Sequence, residues 1–174
     1  TTDDGTLGQS FVGMAGMTPA KLIGTGEVAR LGFLTQNDHF RTNAGFMNAG
    51  ANTITVMAEF FSADGTTLGT SSIDLAPYSN NQWNRAFRQV TNDDVDLGYI
   101  DVWSETAGAM FLAYGSVIDN MSDDPTTIWP YDTMQMVGGE GFDCTPIWVA
   151  AAASFPNNNP PWASDLALTN LGTD

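Results

Sequence analysis

The amino-acid sequence predicts an all-β fold, an antiparallel β-sandwich, and three observations carry that prediction. Apolar and polar residues alternate with the two-residue period of half-buried strands. Turn-forming Gly, Pro, Asn and Asp interrupt these runs at short intervals, roughly every 8–12 residues. Only residues 80–90 could hold a helical turn, and a loop is expected there.

In Thr53 to Phe60 every second residue (Ile54, Val56, Ala58, Phe60) is apolar, while Thr53, Thr55 and Glu59 face out, which makes this segment a strand. The run breaks between Phe61 and Thr67. Asp64-Gly65 marks a hairpin there, because Gly accepts the positive φ such a turn demands. Leu68 to Leu75 is the partner strand, with Ile73 and Leu75 inward, and Pro77 stops it. Two more strands, Leu97 to Trp103 and Ala109 to Ile118, flank a turn at Thr106-Ala107-Gly108. The second is apolar on both faces, the mark of a central strand.

The chain has 174 residues, enough to bury a core without disulfides or metals. Only 14% of them are charged, well below the usual quarter, so Thr, Ser, Asn, Gln and Gly must cover the surface. That habit belongs to secreted β proteins, and an extracellular or cell-surface location is expected. Twenty acidic against five basic residues give a formal charge of -15, which repels nucleic acid and anionic lipid and excludes both as partners. The single cysteine, Cys144, excludes an intrachain disulfide and is expected to pack in an interior. Thr1-Thr2-Asp3-Asp4 cannot start a signal peptide and reads as a processed N-terminus. No apolar run reaches the roughly 18 residues of a helical membrane span.

An internal repeat sets the expected domain organisation. Phe40 to Gly50 lies without gaps over Trp162 to Gly172, an offset of 122; both read aromatic, small polar pair, apolar strand, Asn, any residue, Gly. Val28 to Phe33 lies over Ala150 to Phe155 at the same offset, and Asp3 to Thr6 over Asp123 to Thr126 at 120. A unit of about 120 residues follows. The chain is then expected to comprise the closing strand of a preceding unit (1–28), a main sandwich (29–146) and the opening strand of a following unit (147–174). Strand-forming segments without their usual neighbours tend to add to a sheet edge. Leu7, Phe11, Trp162, Leu166 and Leu168 are the expected assembly-strand residues.

As a set, several stretches resemble a loosely defined class of bacterial secreted β-sandwich repeats. They are Phe40-Arg41-Thr42-Asn43 with Asn48 and Gly50; Asp64-Gly65 with Leu68-Gly69; Leu75-Ala76-Pro77; Gly98-Tyr99-Ile100; Ser116-Val117-Ile118-Asp119-Asn120 with Asp124-Pro125-Thr126; and Gly5-Thr6 with Gly8-Gln9. The resemblance covers about residues 1–130 and restarts near 147. It implies an Ig-like architecture, no established activity, and a place in secreted or surface proteins, often beside catalytic domains. No catalytic domain accompanies the module in this sequence.

Enzyme signatures fail in turn. His39 is the only histidine, which rules out clusters of several His, and it sits in a polar turn where a solvated side chain is the plainer reading. Nothing local activates Cys144. Asp101 and Glu105 flank Trp103 as a carboxylate pair, but a strand and its turn more simply carry them as surface charge. The chain is therefore expected not to be an enzyme.

Two loops concentrate oxygen ligands as calcium sites do: Asp94 and Asp96 in one, Asp119, Asp123 and Asp124 in the other. Neither has EF-hand spacing, and ion-free polar loops are the simpler reading; calcium is the one cofactor considered. Trp83, Tyr99 and Trp103 are candidates for a sugar-stacking platform, weighed against packing between sheets or subunits. The expected function is an extracellular structural subunit joining other copies or adjacent modules head to tail through terminal strands, a filament in the limit. The alternative is a carbohydrate- or surface-binding module.

Overall fold

The computed structural model describes residues 22–132, and they form two packed antiparallel sheets. The strands are β1 (Ile23–Gly24), β2 (Ala29–Gln36), β3 (Phe40–Asn48), β4 (Ile54–Ser62), β5 (Thr67–Leu75), β6 (Asn80–Trp83), β7 (Val95–Trp103), β8 (Met110–Asp119), β9 (Pro125–Ile128) and β10 (Tyr131–Asp132). Sheet I runs β1-β8-β3-β6, with β9 also paired to β8; sheet II runs β10-β2-β7-β4-β5. The all-β sandwich read from the sequence is the fold. No helix among the described residues is long and apolar enough to cross a membrane.

The alternating strand behaves as its pattern dictates. Ile54, Val56, Ala58 and Phe60 are buried, and β4 turns through Asp64-Gly65 into β5, with Gly65 at φ 84°. The Asp64 carboxylate accepts hydrogen bonds from the Ser62 hydroxyl and the Thr66 N–H, and these bonds hold it below its ordinary pKa. Strand β8 is central to sheet I, between β3 and the β1/β9 side. The turn at Thr106-Ala107-Gly108 carries the chain from β7 in sheet II to β8 in sheet I, so it closes the sandwich rather than a hairpin.

Residues 80–90 depart from the expected loop. Asn80–Trp83 is a strand paired to β3, and Ala86–Gln89 forms a 3₁₀ turn. The cause is burial. Trp83 packs edge-on to Phe46 at 5.0 Å and against Phe60 of the other sheet at 6.0 Å; Phe87 meets Phe60 at 5.6 Å. Two rings of this short polar-looking stretch, Trp83 and Phe87, thus draw it onto the core, and their burial outweighs its weak local pattern. Gly98 makes room: a Cβ there would come within 3.0 Å of the Phe87 ring and nearer still to the Phe61 carbonyl.

Ile23 of β1 pairs with Phe111 and is buried in the core, so the sandwich takes in part of the segment read as a preceding extension. Phe40, the position matched by Trp162, is 37% exposed at the start of β3. Leu7, Phe11, Cys144, Trp162, Leu166 and Leu168 lie outside the described residues.

The Asn-any-Gly element of the repeat has a structural meaning in Asn48-Ala49-Gly50. The buried Asn48 amide donates to the carbonyls of Asn52, Leu75 and Ala76 at 2.8, 3.2 and 3.0 Å, and its oxygen accepts the Gly50 N–H at 2.8 Å. One side chain therefore closes the ends of β3 and β5 and the connection into β4.

Candidate functional site

Phe61, Tyr99 and Trp103, each partly exposed, share the outer face of sheet II. On β7, Tyr99, Asp101 and Trp103 point outward while Gly98, Ile100 and Val102 point in. Tyr99 lies opposite Phe61 of β4, and the two rings stack at 4.6 Å with 13° between planes. The Arg30 guanidinium of β2 sits 3.9 Å from the centre of the Tyr99 ring, while its Nε and Nη2 donate to the two Asp101 oxygens, each at 2.7 Å. A charged group shared between a carboxylate and a ring face cannot rotate away without losing both partners. Tyr99 is held rigid on each side.

Burial among these neighbours raises the Tyr99 pKa, against a smaller opposing pull from Arg30, so the phenol stays protonated at neutral pH. Glu59 stands across from Asp101 on β4, extending the row Arg30, Asp101, Glu59 across three strands. Trp103 stands two residues further along β7, half-buried opposite Met57. Tyr99 and Trp103 are about 13 Å apart along the strand.

Two irregularities enlarge this face. The β2–β7 register slips between Leu31 and Leu34, and Phe33 takes φ 58° there. A bulky residue in the left-handed region is a strained one. The bulge is what turns Phe33 outward, 37% exposed, between inward-facing Leu31 and Leu34. A second slip, between Leu34 and Gln36, opposes one β2 residue with Asp96 and Leu97, and leaves Leu97 42% exposed. Beside it a shallow groove of about 360 Å³ runs between Ser62, Asp64 and Leu68 on one side and Asp94 to Leu97 on the other.

The expected platform is thus corrected in composition. Tyr99 and Trp103 share the outer face of sheet II, but Trp83 is buried between the sheets on β6 and cannot stack on a ligand. Arg30, Phe33 and Phe61 replace it. No sequence signal marks Arg30 or Phe33, since the bulge and the guanidinium's two partners arise from cross-strand pairing.

The calcium residues do not converge. Among the described residues no group of three or more His, Cys, Asp or Glu is placed to hold a metal ion. Arginines reach two of these carboxylates, Asp94 and Asp123, and neighbouring N–H groups bond two others, Asp96 and Asp119. Arg41 donates to Asn120 Oδ1 and Asp123 Oδ1, both at 2.9 Å, while Asp119 Oδ1 accepts the N–H groups of Met121 and Ser122. In the other loop Arg88 donates to the Asp93 carbonyl at 2.8 Å and lies 3.5 Å from Asp94; Asp96 accepts from the Asn37 amide. Asp124 is exposed and its N–H bonds to Ser122. His39 is exposed in its turn, and Asp101 is held by Arg30 rather than paired with Glu105.

No protein-family model matches the chain, and no curated protein matches it. A solved structure of Thermotoga maritima 1070 superposes with a TM-score of 0.49 and 13% identity, covering 62% of this chain and 94% of that one. A likeness at that level says nothing about activity.

Proposed function

We propose that the chain is a non-enzymatic binding module of an extracellular or cell-surface protein, holding a polysaccharide on the outer face of sheet II. The observation that supports this reading is Trp103, half-buried on the outer face of sheet II in line with the Asp101 and Glu59 carboxylates and with Tyr99, whose two ring faces are taken by Phe61 and Arg30. Sugar rings present apolar C–H faces to aromatic rings and hydroxyls to carboxylates. Preformed rings and carboxylates receive both at low entropic cost. The row of Asp101 and Glu59 supplies acceptors between the two aromatic positions.

Isothermal titration and intrinsic fluorescence against neutral oligosaccharides of several linkages test the proposal. Binding that weakens at least about tenfold in Trp103→Ala, the scale of one lost ring contact with its buried area, supports it. Absence of heat and of fluorescence change across the panel at millimolar sugar would refute it.

A further inference from the structure

Sheet II ends in an edge that is unusual for its length. Among the described residues the other terminal strands, β1, β6, β9 and β10, are two to four residues long, whereas β5 runs nine residues from Thr67 to Leu75. Short edge strands, prolines, lysines and bulges are the usual protections against edge-to-edge pairing. In β5 a bulge protects only the hairpin end, where the register slips between Phe60 and Phe61 and Val90 packs against Gly69. From Thr70 to Leu75 the strand pairs regularly with β4 on one side, and among the described residues it is the last strand of the sheet on the other. It holds no proline and no basic residue, and its one charge is Asp74 in a chain carrying a formal charge of -15.

We infer that this edge is an isologous self-association site: β5 of one copy pairs antiparallel with β5 of a second, joining two five-stranded sheets into one of ten. A continuous sheet requires opposite residues to lie on the same face, so the paired positions must share parity. Centring the pair on Ser72 satisfies this. Ser72 then faces its own copy, Thr70 faces Asp74, and Ser71 faces Ile73. Each Asp74 carboxylate, already accepting the Thr55 hydroxyl at 2.7 Å, meets a threonine rather than another carboxylate. The two Asp74 residues stand about 13 Å apart along the strands, beyond the Debye length of roughly 8–10 Å at physiological salt. Local charge therefore permits pairing, while the net charge of each copy opposes approach at low salt.

This inference does not rest on the polysaccharide reading, and it differs from assembly by terminal strands in its donor segment. Cysteine cross-linking of the whole chain tests it, in a Cys144→Ser background. Opposite residues in an antiparallel pair have Cα atoms about 4.5–5.5 Å apart, within disulfide reach. Ser72→Cys should cross-link between copies under mild oxidation at least about tenfold faster than Thr70→Cys, which faces Asp74 instead of itself. Light scattering should show a dimer at about 100 μM protein that tightens as salt rises. Prolines at 71 and 72 complete the test. Successive N–H groups point alternately to β4 and to the free edge, so one of Ser71→Pro and Ser72→Pro should keep the wild-type circular dichroism and be monomeric. Equal cross-linking rates overturn the inference, as does a monomeric wild type in high salt. A dimer abolished by removing residues 161–174 but not by the folded proline variant overturns it too, and places a terminal strand on the edge.

Discussion

Gln36 ends β2 with its side chain inside the sandwich, fully buried, and among the described residues neither its amide nitrogen nor its oxygen has a hydrogen-bond partner. Its neighbours along the inner face are Leu34 and, across the ladder, Val95. An unpaired buried polar group costs about 1–3 kcal/mol, while an apolar residue of like size keeps the packing. Gln36→Met should therefore stabilise the fold by about 1–3 kcal/mol. For a chain of this size each kcal/mol moves Tm by about 2–4 °C, so the rise should fall between roughly 2 and 12 °C. Gln36→Ala, which leaves a cavity in place of the amide, should gain less or lose stability. Thermal unfolding by circular dichroism, checked by urea denaturation with an unchanged m-value, measures both. A Tm for Gln36→Met below wild type would refute the reasoning, because it would mean that the amide is hydrogen-bonded in solution.

Other outcomes follow from the same packing. Asn48→Ala leaves three carbonyls and the Gly50 N–H without their partner, and should cost about 3–5 kcal/mol; Asn48→Asp, which sets a carboxylate against those carbonyls, should cost at least as much. Arg41→Met should lower global stability by less than about 1 kcal/mol, since the Asp123 partner is largely exposed, yet speed hydrogen exchange at Met121 and Ser122. Burial raises the pKa of Tyr99 and of Tyr114 above the ordinary 10.0, so the unfolded chain loses these phenolic protons first. The stability they contribute is whole below pH 10.0 and is lost as pH climbs from there through the folded values; Tyr99→Phe should flatten that loss in alkaline melts. Wild-type Tm should be the same in millimolar calcium and in chelator, because a bound ion would raise it.

The sequence by itself determined the sandwich, the β4–β5 hairpin and the central character of β8. Those features depend on local alternation and turn chemistry, which neighbouring residues specify unaided. It also marked Asn48-Ala49-Gly50 as a recurring element without revealing that the amide is a clamp. Tertiary structure alone decided the site. Trp83 looks like an exposed aromatic in a polar stretch, and only the contact with Phe46 and Phe60 from opposite sheets pulls it inside. Phe33 stands outward because β2 slips against β7, a mismatch between two strands about 60 residues apart that neither strand encodes alone. The aspartate loops show their oxygen ligands in sequence, but nothing nearby in sequence shows that Arg41, about 80 residues away, donates to Asn120 and Asp123. Side-chain identity and spacing set what each strand can bury; register across strands sets which charges and rings finally meet.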